Sequence, residues 1–268
     1  MKFSIRENML PGRTLHEKFD NLAGLGFQGI EITSSSKREH FDEIHKLAQA
    51  TGICPNILSS QNLGVLDARK SERDAAMQAM KEALQLCGDL GGVGVILPPL
   101  IEVKMKGRPR IEDLSPLYSR EHLERQLLIE LLKELGDCGE NSGAAVVIEA
   151  LNRYEQWWPR TLQEATDICK AVESPAVVTM ADFFHMNIED ADMAESIRHA
   201  GKWIKNVHLA DSNRYLPGHG HTDFTPGLCA LREIGYDLYY GFECTVTGDP
   251  LAELGKSADY IRRKAIHA

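Results

Sequence analysis

Eight short β-branched or apolar runs recur along the 268 residues, each followed by a longer amphipathic stretch, and this rhythm restricts the chain more than any single motif. The runs cover residues 2–5, 29–33, 54–58, 94–97, 144–149, 177–182, 204–209 and 239–243. Strands separated by helix-length connections pair in parallel, because an antiparallel pair needs only a short turn. Eight such units, in a length close to the roughly 250 residues that the architecture uses, predict an α/β fold of the (β/α)8 TIM-barrel type, with residues 1–268 forming a single domain. An open Rossmann-like sheet would need a glycine fingerprint after its first strand, and MKFSIRENMLPG has none.

Punctuation between the runs agrees. Glycines close helical stretches just before the next strand in LAGLGFQGIEI, CGDLGGVGVIL and LREIGYDLYYGFEC, where a left-handed residue ends a helix. Ser71 with Asp74 and Thr161 with Glu164 match the Ser/Thr-x-x-Asp/Glu signature of a helix start. Residues 98–117 (PPLIEVKMKGRPRIEDLSPL) form the longest stretch without periodicity. They follow the fourth strand, on the side where barrels carry substrate loops, so a lid is one reading of them.

Composition removes several classes of function. An apolar content of 43% with 26% charged residues supports a packed core without covalent staples. A formal charge of −9 opposes nonspecific binding to nucleic acid or an anionic membrane, leaving small molecules as partners. Six cysteines stand singly without a CxxC pair and read as reduced thiols. No window approaches 18 uninterrupted apolar residues, and the N-terminus lacks the apolar core of a signal peptide, so a cytoplasmic protein is expected.

The chemistry gathers in the last four runs. VVIEALNR, VVTMADFFH, IKNVHLADSNR and YYGFECTV each place a carboxylate or imidazole at or near the carboxyl end of a strand. Barrel active sites are built at that end, so Glu149, Asp182, His208 and Glu243 are expected to converge. Their separations of 33, 26 and 35 residues each approximate one βα unit. Taken singly, such a carboxylate is as readily a helix cap or an ion-pair partner, and a lone strand histidine is more often a satisfied core residue. Together, three carboxylates around one imidazole repel unless a cation neutralises them, which implies one divalent metal ion. Oxygen-rich donors with one nitrogen suit Mn²⁺, with Mg²⁺ or Co²⁺ as alternatives.

The segments IEALNRYE (148–155), MADFFHMNIED (180–190), HLADSNRYLPGHGHTDF (208–224) and GFEC (241–244) resemble the D-tagatose/D-psicose 3-epimerases of the xylose-isomerase-like sugar isomerases and epimerases. The resemblance implies that Glu149, Asp182, His208 and Glu243 bind the metal, and that Glu155, His185 and Arg214 contact a small sugar. It also implies C3 epimerisation of a ketose through a metal-bound cis-enediolate, with Glu149 and Glu243 removing and returning the proton, in a dimer or tetramer. The first strand departs from the family pattern, lacking its aromatic residues, so the resemblance leaves a sugar phosphate, a keto-inositol or an oxo-sugar acid as further substrates. Two other readings stay open on the residues alone: a metal-dependent lyase or decarboxylase, and a noncatalytic sugar- or partner-binding barrel.

Neighbouring residues have plainer readings. His219 and His221 in PGHGHTDF lack the companion histidines of a multi-zinc site and read as loop histidines. Trp157 and Trp158 suit either a sugar-facing wall or packing against a loop or second subunit. Lys104, Lys106, Arg108 and Arg110 read first as a solvated basic loop and second as an anion site.

Overall fold

The apolar runs form eight parallel strands in a computed structural model that describes residues 1–33, 39–101 and 107–266. They are β1 (Lys2–Ile5), β2 (Gly29–Ile32), β3 (Cys54–Ser59), β4 (Gly94–Leu97), β5 (Ala145–Ile148), β6 (Val177–Asp182), β7 (Ile204–Leu209) and β8 (Tyr239–Phe242). The amphipathic stretches form α1 (Leu15–Leu25), α2 (Phe41–Thr51), α3 (Lys70–Asp89), α4 (Arg120–Ser142), α5 (Leu162–Val172), α6 (Phe183–Glu189), α7 (Met193–Ala200), α8 (Phe224–Glu233) and α9 (Pro250–Ile266). From β2 to β8 each strand pairs with the next in sequence, and β8 pairs with β1. The last seam joins β1 to β2 through Gln28 N–H on the Phe3 carbonyl at 2.9 Å and a bridge between Arg6 and Glu31. The sheet is thus a TIM barrel.

Alternation along the strands makes two apolar layers. Phe3, Ile5, Ile30, Ile32, Leu58, Val146 and Phe242 face the helices, where Phe3, Phe27 and Phe242 pack with ring centroids 5.6–5.7 Å apart. Ile57, Ile96, Val147, Val178 and Met180 fill the barrel interior. Two residues beyond Val147 and Met180 on the same inward side stand Glu149 and Asp182, one layer nearer the carboxyl ends.

Several helix ends follow local chemistry. Thr161 and Glu164 form a full capping box, as the sequence predicts, and Thr14 and Glu17 form another. Gly26 closes α1 at φ 68°, in the left-handed conformation that the helix end requires. Ser71, in contrast, is not a cap: α3 begins one residue earlier, with Arg69 at the N-cap position and no side-chain cap. Asp74 instead takes the Lys70 ammonium at 2.7 Å, one turn along the helix.

Residues 102–106 of the long loop, including Lys104 and Lys106, lie outside the described residues, and with them the lid reading. The described remainder is anchored. Arg110 grips the fully buried Glu124 of α4 through Nε at 2.8 Å and Nη2 at 2.6 Å, and Glu124 also accepts from Trp157 Nε1 at 3.0 Å. Arg125 lies over both Trp157 and Trp158, at 5.3 and 5.0 Å from the ring centroids. The tryptophans therefore pack against α4, and Arg110 is held in an ion pair. Among the described residues no helix is long and apolar enough to cross a membrane.

Candidate metal centre

The carboxyl ends of β5 to β8 bring Glu149, Asp182, His208 and Glu243 together, with one donor atom from each lying within 4.8 Å of all the others. Glu149 and Glu243 are each the first residue past their strand, yet their N–H groups still reach the neighbouring strand, to Leu97 at 3.1 Å and Leu209 at 3.4 Å. All four side chains are therefore carried by the sheet itself. His208 Nδ1 stands at the hub, 3.6 Å from Glu149 Oε1, 3.4 Å from Asp182 Oδ2 and 3.0 Å from Glu243 Oε2.

Two atoms of this cluster have no hydrogen-bond partner although they are buried: Asp182 Oδ2 and His208 Nδ1. Orphaned buried polar atoms are rare and costly, and here they face one another across the same small space. The other ends of both side chains are fully engaged. Asp182 Oδ1 caps α6, accepting from Phe184 N–H at 2.8 Å and His185 N–H at 3.1 Å. His208 Nε2 meets both oxygens of Glu31 at 3.1 Å. A divalent cation fits this donor set, since it would satisfy the two orphans and offset the carboxylates together.

Without a cation the cluster leans on protons. Burial acts to lower the His208 pKa, but the Glu31 charge and the contacts with Asp182, Glu149 and Glu31 outweigh it and hold the ring well above its ordinary value. Burial acts to raise the Asp182 carboxyl, yet His185, Arg214 and His208 pull it far below the usual range. Glu31 is lowered in the same way: burial works against it, and His208, with help from Arg6 and Asn206, prevails.

The expected sugar contacts surround the cluster unequally. His185 is buried, and its Nδ1 accepts from Asn152 N–H at 3.1 Å. Its Nε2 lies 3.1 Å from Arg214 Nη1, whose N–H points at it. Arg214 adopts φ 61°, a backbone region that non-glycine residues seldom occupy, and its guanidinium stacks 4.4 Å over Phe184 while donating to Glu243 Oε2 at 2.6 Å. Asp211 buttresses this turn, accepting from the N–H groups of Ser212, Gly218 and Thr222 at 2.8–2.9 Å. Glu155 accepts from Asn152 Nδ2 at 3.0 Å and lies 3.9 Å from His185 Nδ1.

Sequence reasoning overlooks Glu31 and Arg6. Glu31 sits on β2 within GIEI and reads as one more acidic residue in a strand; the only signal is a carboxylate inside an otherwise apolar run. Arg6 follows β1, and its Nη1 hydrogen-bonds Glu243 Oε1 on the side opposite Arg214. Burial pushes the thiol of Cys244, next to Glu243, up to about 12, away from the thiolate form. His219 lies 3.6 Å from Glu253, and both it and His221 sit in the exposed loop expected for them.

Comparison with known proteins places this geometry. The model of the family described as "Xylose isomerase-like TIM barrel" matches residues 19–264. A D-psicose 3-epimerase of Ruminiclostridium cellulolyticum is 36% identical over 229 residues, 81% of this chain and 74% of that protein. A 3-dehydro-D-guloside 4-epimerase of Escherichia coli is 25% identical over 98% of this chain and 99% of its own. The crystal structure of apo 3-keto-D-glucoside 4-epimerase from E. coli superposes with a TM-score of 0.87 at 25% identity, covering 98% of this chain and 99% of that one.

Proposed function

The chain belongs to the xylose isomerase-like TIM barrel family and within it to the sugar epimerases, and from that premise we propose that it epimerises a ketose or ketose derivative at C3. The observation that carries the reading is the pair of orphaned buried atoms, Asp182 Oδ2 and His208 Nδ1, flanked by two glutamates at the mouth of a barrel. Glu149, Asp182, His208 and Glu243 would hold one divalent ion, Mn²⁺ by preference and Mg²⁺ or Co²⁺ otherwise. Bound there, the ion supplies electrophilic polarisation of a keto oxygen, which acidifies the adjacent C–H.

The chain's own residues account for the rest. Glu149 arrives from β5 and Glu243 from β8, with β6 and β7 between them, so the two carboxylates approach the centre from separate sides. One removes the proton from the carbon beside the carbonyl and the other returns it to the opposite face, which inverts that carbon. Asp182 and His208 have their second atoms tied to α6 and Glu31, which suits them to hold rather than to move protons. His185 and Arg214, hydrogen-bonded at 3.1 Å, form a polar edge beside the cluster that suits a substrate oxygen. Glu155, half exposed beside Asn152, is placed to meet a more distant hydroxyl. The dimer or tetramer expected of the resemblance belongs to the same proposal, and light scattering of the purified protein tests it.

A second reading is favoured by the end-to-end match to the 4-epimerase, which covers nearly all of both chains. In a 3-keto glycoside the C4 proton is also adjacent to the carbonyl, so the same two glutamates would serve. Incubation in D₂O with D-fructose and, separately, with a 3-keto-glucoside tests both. Deuterium at C3 of the ketose supports the first reading, and deuterium at C4 of the glycoside supports the second. Release of a fragment or CO₂ would show a lyase or decarboxylase instead. Metal analysis, followed by chelation and restoration with Mn²⁺, Mg²⁺ or Co²⁺, tests the cofactor; activity indifferent to chelation refutes it.

A further inference from the structure

Behind the metal-facing side of His208 lies a carboxylate that crosses the barrel to reach it. Glu31 projects from β2, is 1% exposed, and sets both oxygens 3.1 Å from His208 Nε2, 177 residues away in sequence. A ring whose Nε2–H donates to a carboxylate has its lone pair on Nδ1, the atom left without a partner at the hub of the cluster.

The opposite strand is shaped to admit this carboxylate. A Cβ placed on Gly241 of β8 would stand 2.5 Å from Glu31 Oε1, closer than a side chain allows, and a tight 3.3 Å from His208 Cδ2. Gly241 lies two residues before Glu243 and so faces the same interior, where only a missing side chain leaves room for Glu31. Asn206, two residues before His208, extends its amide nitrogen to 3.5 Å from Glu31 Oε1. Arg6, bridged to Glu31 through the backbone of the β1–β2 seam, holds Glu243.

We propose that Glu31 is a positioning residue for the metal centre: as an anionic acceptor at Nε2 it fixes His208 in the tautomer that turns Nδ1 towards the ion. Hydrogen-bonding a ligand's far nitrogen to a carboxylate both orients the ring and strengthens it as a donor. The residue itself touches neither ion nor sugar. The proposal rests on the metal reading of the preceding section, and its test separates the two.

Mn²⁺ binding to the chelated, purified protein is measured by calorimetry for wild type, Glu31→Gln and Gly241→Ala, alongside ¹⁵N resonances of the His208 imidazole in the metal-free protein at alkaline pH, where the ring is neutral. Glu31→Gln removes the charge while keeping the shape, and Gly241→Ala displaces the carboxylate while keeping the charge. Both are expected to bind Mn²⁺ about 10- to 100-fold more weakly than wild type. Both should also shift the imidazole nitrogens away from the Nε2–H pattern, which loss of packing alone would not do. Wild-type affinity and unchanged resonances in a folded variant overturn the role of Glu31. Should Glu31→Gln fail to fold, Gly241→Ala decides by the same criteria, and should both fail, Glu31→Asp decides, with wild-type affinity and tautomer from its shorter side chain counting against the proposal. Failure of the wild type to bind Mn²⁺ overturns the metal reading instead.

Discussion

The half-barrel from β5 to β8 supplies the four donor atoms of the centre, whereas the half from β1 to β4 supplies the side chains that brace two of them. Glu149, Asp182, His208 and Glu243 come from consecutive strands in matching positions, so sheet register alone assembles them. Glu31 and Arg6 come from the opposite side of the closure and meet His208 and Glu243 from behind. One half presents the four-residue cluster, and the other contacts two of its members. Preorganisation of this kind needs both, because a ligand set without support loses the geometry that catalysis depends on.

The widest gap between the halves should appear in turnover. Glu149→Gln and Glu243→Gln each leave an oxygen donor in place but remove a base, and each is expected to reduce kcat by about 10²- to 10⁴-fold. Solvent-deuterium incorporation into substrate reads this directly. Undiminished incorporation in both variants would move proton transfer out of the C-terminal half.

A pH series on chelated protein probes how the halves share the imidazole. His208 holds its proton well above the ordinary value of 6.5 in the folded, metal-free chain. A raised pKa contributes stability that is fully present below the unfolded value and is lost as pH rises through the folded one. The Tm of the chelated protein should therefore fall as pH rises above neutrality. Added Mn²⁺ should offset that fall, because it binds the unprotonated ring and releases a proton. A chelated Tm that climbs across the same range contradicts the braced-imidazole arrangement.

The two guanidinia on Glu243 sharpen the contrast further. Arg214 also meets His185, so Arg214→Lys, which loses the planar fork, should raise KM about tenfold. Arg6 contacts Glu243 from the supporting side, and Arg6→Lys should leave KM within about threefold. Steady-state kinetics showing the reverse order would assign Arg6 to the substrate.

The smallest effects lie at helix starts, one in each half. Thr161→Ala breaks a formed capping box and should cost about 1 kcal/mol in denaturant unfolding. Ser71→Ala, which alters a matching motif that caps nothing, should change stability by less than about 0.5 kcal/mol. Equal losses would mean that the motif stabilises without its hydrogen bonds.

That pair also shows how far local pattern reaches. Thr161 and Ser71 carry the same signature, and only the actual start of each helix separates them, since α3 begins at Lys70. Strands were legible because apolar runs of a fixed period report burial directly; β2 closes at Ile32 and β5 begins at Ala145, each within one residue of its expected bound. The clustering of Glu149, Asp182, His208 and Glu243 was legible because each sits at the same place in its repeat. Trp157 and Trp158 were not, since a buried Glu124 and two arginines from other elements decide what they face.

The sequence by itself determined the barrel and the four residues at its mouth, because both are periodic and a repeat places equivalent residues equivalently. Tertiary structure alone decided which buried groups brace them. The contacts of Glu31 with His208 and of Arg6 with Glu243 span 177 and 237 residues and exist only once the barrel has closed. Closure pairs β1 with β8 and lets Glu31 of β2 reach His208 of β7 through the interior, and no spacing along the chain encodes the width of that interior or the gap that Gly241 leaves in it.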